Sequence, residues 1–334
     1  LGGAFRLNMF TDKIDITRDL GWYRESENLT DVDLKFLVLY FEKNYGLANE
    51  KRIDDAIKVV ANENRYHPVQ DYLNALQWDK VERIRYALHY FLGAEISDYT
   101  YEVLKLFMLG TIARVFRPGI KFEVMLCLVG GQGAGKSTFF RFLAMKDDWF
   151  TDDLKKMDDE NVYRKLQGHL IVEFPEMVAI LNAKNVEDTK SFMSRQKDTY
   201  KTPYDKHPKD HKRQCVFAGS SNSLDFLPMD RSGNRRFLPI QCNVNEAEVH
   251  ILDDEKVSRE YIAQMWAEAM EIYRSGNYML KLPKKTQEEL CEYQKRFMEI
   301  VSEIRSNNMM TFPVLSYSLL RKDGKFVDED FAKW

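Results

Sequence analysis

Eight consecutive residues, 130–137, have the types and spacing needed to bind phosphate. They satisfy the pattern G-x-x-x-x-G-K-[ST] and lie between an apolar run and a helix-like segment. Glycines allow positive φ angles and bring backbone amides against phosphate oxygens, while the following helix supplies its positive N-terminal end. The lysine of this pattern neutralises β- and γ-phosphate charge, and the serine coordinates Mg²⁺. The predicted ATP-binding residues are Gly130, Gly131, Gln132, Gly133, Ala134, Gly135, Lys136, Ser137 and Thr138.

The apolar run 170–174 carries an acid near its end, where a magnesium-side carboxylate is needed. We interpret this residue, Glu173, as the second metal ligand beside Ser137. Pro175 cannot continue a central strand, so Glu176 falls in the loop beyond it and is the candidate general base. Each carboxylate could instead be a surface charge at the end of a strand.

Two later stretches carry polar groups that an ATPase could use. The run 215–219 leads into Ser-Ser-Asn, and Asn222 would orient the attacking water if this strand lies beside the loop-bearing one. The same three residues can also cap a turn. Beyond a Gly-Asn turn come Arg235 and Arg236, typical of the arginine that an oligomeric motor extends to a neighbour's γ-phosphate. An ion pair with local acids, or phosphate contact within one subunit, remains an alternative for this pair.

Hydrophobic periodicity predicts the elements that must position these residues. The short apolar runs 124–129, 170–174, 215–218 and 237–242 read as strands separated by helices, which implies a mostly parallel sheet. Helices are predicted over 31–45 behind Thr30, over 98–116 behind Ser97, over 137–146 and over 257–273. The fold class is therefore α/β, a P-loop ATPase core between helical segments. The predicted domains are 1–118, all-helical; 119–245, the core; and 246–334, helical.

Composition limits the classes of function. The 334 residues have a formal net charge of -3, so any contact with nucleic acid must come from a local basic patch. No apolar run is long enough to span a membrane, and we expect no membrane partner and a cytoplasmic location. The four cysteines are widely spaced and read as reduced structural thiols. Because the sequence opens on Leu1 rather than methionine, we expect it to belong to a longer chain.

Taken together, these motifs resemble the virulence-associated protein E family, whose ATPase part is similar to AAA+-type superfamily III helicases. The resemblance rests on 66–73, 78–79, 117–119, the phosphate loop, 167–168, 173–176, 198–204, the strand ending at 222, 233–237 and 266–269. It implies a ring-forming helicase or replication initiator of a phage or mobile genetic element. Lys136, Ser137, Glu173, Asn222 and the Arg235-Arg236 pair then take the matching roles. Related motors often place two acids side by side, whereas here a phenylalanine follows the first acid.

The resemblance also implies a DNA-facing element between the acidic strand and the strand ending at Asn222. The interval 195–213 is rich in lysine, arginine and histidine against three aspartates, with Tyr200 and Tyr204 interleaved. Lysines neutralise backbone phosphates and tyrosines stack on bases, which predicts contact with single-stranded or forked DNA. A charge run of this kind is also typical of a solvated loop. The candidate DNA-binding residues are Lys201, Tyr204, Lys206, His207 and Lys209.

Three classes of protein fit these patterns. The first is an ATP-hydrolysing DNA helicase or replication-initiation motor that assembles into a homo-oligomeric ring. The second is a phosphotransferase for a small acceptor, which uses the same loop and should ignore DNA. The third is a DNA-binding regulator whose nucleotide site only switches its assembly. DNA-stimulated hydrolysis and an arginine acting in trans distinguish the motor from the other two.

Overall fold

The computed structural model describes residues 3–154, 162–177, 186–201, 208–222 and 234–295. In its first third a pair of strands precedes a series of helices. These elements are β1 (Phe5–Asn8), β2 (Lys13–Ile16), α1 (Asp31–Tyr45), α2 (Glu50–Glu63), α3 (Pro68–Ala75), α4 (Ala87–Leu92) and α5 (Asp98–Phe116).

Side-chain caps define the starts of α1 and α5. The Thr30 side chain accepts a hydrogen bond from the backbone N–H of Asp33, and the Asp33 carboxylate accepts one from the N–H of Thr30. Ser97 and Thr100 form the same reciprocal pair before α5. Each cap joins residues three positions apart, so it is visible in the sequence. Both predicted helices are confirmed with the predicted limits.

The prediction that the first third is all-helical was wrong, because β1 and β2 pair as an antiparallel hairpin. Each strand has only four residues, too few for alternation to stand out in the sequence. The hairpin packs on the first two helices through Phe5, Ile16, Leu37, Ile53 and Ile57. Since an isolated hairpin is marginal in water, this packing is what stabilises it.

A five-stranded parallel sheet lies at the centre of the molecule. The elements from here on are β3 (Met125–Val129), α6 (Lys136–Leu143), β4 (Phe150–Thr151), α7 (Val162–Leu166), β5 (Ile171–Phe174), α8 (Val186–Ser194), β6 (Lys197–Tyr200), β7 (Lys209–Lys212), β8 (Val216–Ser221), β9 (Phe237–Gln241) and α9 (Glu255–Ser275). The strand order in the sheet is β4-β5-β8-β3-β9. Residues 284–295 are helical again. The predicted parallel sheet and its four apolar strands are confirmed. The edge strand β4 was not predicted because two residues carry no pattern.

The sheet order decides which residues can meet. Strand β8 lies between β5 and β3, and β9 pairs with β3 on its other side. Carboxyl ends of parallel strands share one edge of a sheet, so the residues that follow β3, β5 and β8 come together there. Strands β6 and β7 form a separate antiparallel pair.

Helix α5 packs on β3 and β8 of the sheet, and α9 packs on α5 and α6 and joins the same core. The fully buried Trp266 of α9 donates its indole N–H to the carbonyl of Leu143 at the end of α6, at 3.0 Å. The largest apolar cluster joins buried side chains from Phe10 to Leu290, and so draws on all three predicted domains. The division at 118 and 245 stays a prediction.

The cysteines match their predicted state. Cys127, Cys215 and Cys242 are buried, Cys291 is exposed, and all four are free thiols. Burial raises the pKa of the Cys242 thiol to about 12, which keeps it protonated and unreactive. As for membranes, no helix in the described part of the chain combines the length and apolar character needed to cross one.

We expect Gly93→Ala to lower the free energy of unfolding by about 3 kcal/mol. Gly93 ends α4 with φ 61°, and a Cβ there would lie 1.9 Å from the carbonyl oxygen of Asn243. Urea denaturation would measure the loss. Gly46→Ala is the matched control, because Gly46 ends α1 with φ 68° and has open space around it. If both variants lose the same roughly 1 kcal/mol, only backbone strain matters and the close approach does not.

Candidate functional site

The glycine loop, residues 130–135, connects β3 to α6 at the carboxyl edge of the sheet. Gly135 is the residue before the helix and has a left-handed backbone, with φ 76°. This conformation starts α6 without a side-chain cap, so the first helical N–H groups are left for a ligand. The loop and α6 therefore place an uncapped helix N-terminus where the sequence predicts a phosphate site.

The side chain of Lys136 folds back over the loop. Its ammonium group donates hydrogen bonds to the carbonyl oxygens of Gly130 and Gly131, each at 2.7 Å, and to Oδ1 of Asn222 at 3.1 Å. Burial lowers the pKa of Lys136. A half-desolvated cation next to free amides is well placed to neutralise phosphate charge.

Glu173 lies within β5, fully buried, and contacts residues from two neighbouring elements. Its Oε1 accepts hydrogen bonds from Oγ of Ser137 at 2.7 Å and from Oγ of Ser220 at 2.5 Å. Burial raises the pKa of this carboxyl, and the two hydroxyl donors oppose the rise. The second oxygen, Oε2, is buried and has no hydrogen-bond partner among the described residues. An unsatisfied buried carboxylate oxygen calls for a cation.

Ser137 and Glu173 are the residues that could hold Mg²⁺. One hydroxyl and one carboxylate fit a cation that keeps most of its ligands as water and substrate phosphate. Within the described residues, no group of three or more His, Cys, Asp or Glu side chains is placed to hold a metal ion.

Glu176 and Asn222 line the same cavity as the glycine loop, Ser137 and Thr138, and its volume is about 320 Å³. Glu176 follows β5 with φ 50°, a left-handed backbone that is unusual for a residue other than glycine. Such strain persists only where surrounding structure imposes it, and it concentrates at functional sites. The structure thus brings the predicted base and the predicted water-orienting amide to the phosphate edge, although their roles stay predictions.

Arg235 and Arg236 do not reach this cavity. They immediately precede β9, whose first residue, Phe237, is in register with Met125, the first residue of β3. The pair therefore lies at the amino edge of the sheet, roughly 15 Å, the length of a strand, from the glycine loop. Arg236 is 3.6 Å from Glu123, so the predicted ion pair with a local acid is present. In this structure the pair lies away from the glycine loop of its own subunit, and its role stays a prediction.

The arginine pair lines a larger cavity of about 1060 Å³. Its charged lining is mostly basic and consists of Lys121, Glu123, Lys190, Arg235, Arg236 and Lys281. The excess of cations suits an anionic group arriving from outside the subunit.

Two of the candidate DNA-binding residues, Lys201 and Lys209, lie at the β6–β7 pair. Lys201 and Lys209 are exposed at the ends of the two strands, and Lys209 pairs with Asp12 at 2.9 Å. Tyr204, Lys206 and His207 lie outside the described residues.

Two basic-patch residues are engaged within the fold. Arg213 is buried and forms a two-pronged ion pair with Asp198, at 2.6 and 2.8 Å, so the expectation that it belongs to an accessible patch was wrong. The ring of Tyr200 stacks on His211 with 4.0 Å between centroids, which covers one of its faces. Both contacts are made within the fold.

Sequence reasoning missed the contact of Ser220. Its signal was present as the Ser-Ser-Asn stretch after the apolar run, but the contact with Glu173 follows from the adjacency of β5 and β8. A single sequence does not specify that adjacency.

The fold defines an α/β protein with a five-stranded parallel sheet and a glycine loop at its carboxyl edge. The family profile of the virulence-associated protein E-like domain matches residues 73–299, most of the chain, and the protein belongs to this family. Two solved structures are similar in fold. An apo structure of the NrS-1 C-terminal region (305–718) has a TM-score of 0.50 and 16% identity over 87% of this chain and 71% of that one. A second, the A-form apo structure of the same region, has a TM-score of 0.50 and 15% identity over 87% and 72%. No curated protein matches the chain.

Proposed function

We propose that the protein is a P-loop ATPase that acts as a DNA helicase or replication-initiation motor of a phage or mobile genetic element. One observation carries the proposal. Around the glycine loop, Lys136 is hydrogen-bonded to Asn222 and the adjacent Ser137 to Glu173, so side chains from β5 and from the residues that follow β3 and β8 meet there. Each side chain has the type that ATP hydrolysis requires at that place.

The roles follow from the geometry. Lys136 leaves the loop carbonyls and pairs with the β- and γ-phosphates, which offer a stronger, charged acceptor. Ser137 and Glu173 would hold Mg²⁺, which would supply positive charge beside the phosphate oxygens. Asn222 orients the attacking water, and Glu176 accepts its proton. The low exposure of Lys136 and Glu173 strengthens each of these electrostatic contacts.

The Arg235-Arg236 pair acts in trans. Its position at the amino edge of the sheet leaves it too far from its own glycine loop but free to approach the loop of a neighbouring copy. A head-to-tail contact of this kind generates a ring when the rotation closes. Hydrolysis then depends on assembly, and an ordered series of such sites drives movement along DNA.

Steady-state ATPase rates, with and without single-stranded DNA and across protein concentration, test this proposal. We expect DNA to stimulate turnover, and turnover per subunit to rise with concentration because the arginine comes from a neighbour. Turnover that is indifferent to both would favour the small-acceptor phosphotransferase. ATP binding with negligible turnover, with or without DNA, would favour the regulator.

The double variant Lys206→Ala/Lys209→Ala should bind single-stranded DNA about tenfold more weakly and lower the salt slope of binding by about 1.4, as expected for two lost phosphate contacts. Fluorescence anisotropy across salt concentrations measures both, and basal ATPase should stay intact. Asp12→Ala is the matched control, because it breaks the Lys209 ion pair without removing a cation. Unchanged DNA affinity in the double variant would make this segment a solvated loop.

A further inference from the structure

The segment 243–251, which follows β9, is held against the end of α4. Asn243 donates its N–H to the carbonyl of Leu92 at 3.0 Å, and the N–H groups of Glu248 and Val249 both donate to the carbonyl of Tyr90 at 3.1 Å. These three backbone hydrogen bonds join the first third of the chain to the edge of the sheet. These hydrogen bonds fix the position of the segment, although it has no regular secondary structure beyond one short 3₁₀ turn.

The end of this segment faces the glycine loop. A Cβ built on Gly135 would lie 3.0 Å from Cγ2 of Ile251 and 3.8 Å from Nε2 of His250. Ile251 is buried and His250 is half-buried. An apolar side chain and an imidazole thus stand directly beside the residue that begins the anion-binding helix.

The orientation of the His250 ring follows from its neighbours. Leu252 donates its N–H to Nδ1 at 3.3 Å, so the neutral ring carries its proton on Nε2, the nitrogen nearer the glycine loop. The carboxylate of Asp253 accepts the backbone N–H of His250 at 3.0 Å. The side chain therefore presents an N–H donor to whatever occupies the space above Gly135.

The sheet order indicates which part of a nucleotide that would be. Lys136, Ser137 and Glu173 place the terminal phosphate and the cation on the side of β8 and β5. The 243–251 segment follows β9, which pairs with β3 on the side opposite β8. A triphosphate whose γ end points toward β8 has its nucleoside end on the β9 side. The apolar and hydrogen-bonding character of this flank suits a nucleoside better than phosphate.

We propose that His250, supported by Ile251, contacts the nucleoside half of the bound nucleotide, with Nε2 donating a hydrogen bond to a base or ribose acceptor. This inference rests on the proposed ATP site and adds a residue outside the phosphate loop that selects nucleotides over bare polyphosphate. The first third of the chain takes part in this selection through α4, which positions the segment.

Isothermal titration calorimetry with ATP and with inorganic tripolyphosphate, which lacks the nucleoside, tests the proposal. For His250→Ala we expect the Kd for ATP to rise about tenfold, as for one lost hydrogen bond and some packing, with the Kd for tripolyphosphate within about twofold of wild type. His250→Gln retains an N–H near the Nε2 position and should lose less than about threefold. Asn245→Ala, at an exposed position of the same segment, is the matched control.

The outcomes separate this inference from the proposed function. Equal weakening of ATP and tripolyphosphate would place His250 on the phosphates and overturn the inference, as would unchanged ATP affinity. Failure of the wild-type protein to bind ATP would overturn the ATPase proposal itself. If thermal melts show that His250→Ala is unfolded, His250→Leu replaces it, because leucine fills much of the same space without a donor. A rise of about tenfold in the Kd for ATP alone would then support the inference, and an ATP affinity equal to that of Asn245→Ala would overturn it.

Discussion

Lys136→Ala will abolish ATP hydrolysis, lowering turnover by at least about 100-fold, the range seen when one preorganised donor to developing charge is removed. The ammonium group is the charged donor at the loop and lies within 3.1 Å of Asn222, so its loss leaves the γ-phosphate without its main counter-charge. ATP affinity should also fall, because the lysine contacts phosphate in the ground state as well. A coupled assay for phosphate release measures turnover.

Lys146→Ala is the control for this variant. Lys146 lies just beyond α6 and is exposed, so its removal changes net charge equally without touching the loop. We expect this control to retain wild-type turnover. Lys136→Ala turnover near that of wild type would remove the basis for a phosphate site in the glycine loop, and with it the proposed function.

Glu173→Gln will lower turnover by about 100-fold or more relative to wild type. It will also weaken the dependence of ATP binding on Mg²⁺. Glutamine keeps the shape and can still accept from Ser137 and Ser220, but it cannot offer a negative charge to a metal ion. Magnesium titrations of ATP binding and of turnover measure the two effects.

Glu176→Gln distinguishes the role of Glu176 from that of Glu173. If Glu176 is the general base, this variant should lower turnover while Mg²⁺-dependent ATP binding stays at the wild-type level. The reverse pattern, with metal dependence lost in Glu176→Gln and kept in Glu173→Gln, would exchange the roles of the two carboxylates.

Glu173→Gln should also raise the melting temperature of the nucleotide-free protein at pH 8. Burial raises the pKa of Glu173, so the native protein holds the ionised carboxylate less well than the unfolded chain does. The resulting loss of stability is absent below the ordinary pKa of a glutamate. It grows as the pH rises through the pKa that Glu173 has in the folded protein. The gain from glutamine should therefore shrink toward pH 5. A lower melting temperature at pH 8 would show that the ionised carboxylate is already compensated within the fold.

The parts of the candidate site that lie close together in the chain could be predicted from the amino-acid sequence. The spacing of Gly130, Gly135, Lys136 and Ser137 places all four in one continuous strand, loop and helix start. The limits of α1 and α5 were also predictable, because each cap is a contact over three residues. Strands β3, β5, β8 and β9 could be predicted from continuous apolar runs, because both faces of a parallel sheet are covered.

Which distant segments lie next to each other could be seen only in the three-dimensional structure. The adjacency of β8 to both β3 and β5 brings Ser220 and Asn222 to Glu173 and Lys136, and the shared direction of the strands puts Arg235 at the opposite edge. Burial turned Arg213 from an expected surface cation into an internal ion pair, and the short strands of β1–β2, β4 and β6–β7 gave no readable pattern. These features depend on packing between residues far apart in the chain, and no local propensity or spacing encodes which partner each segment will meet.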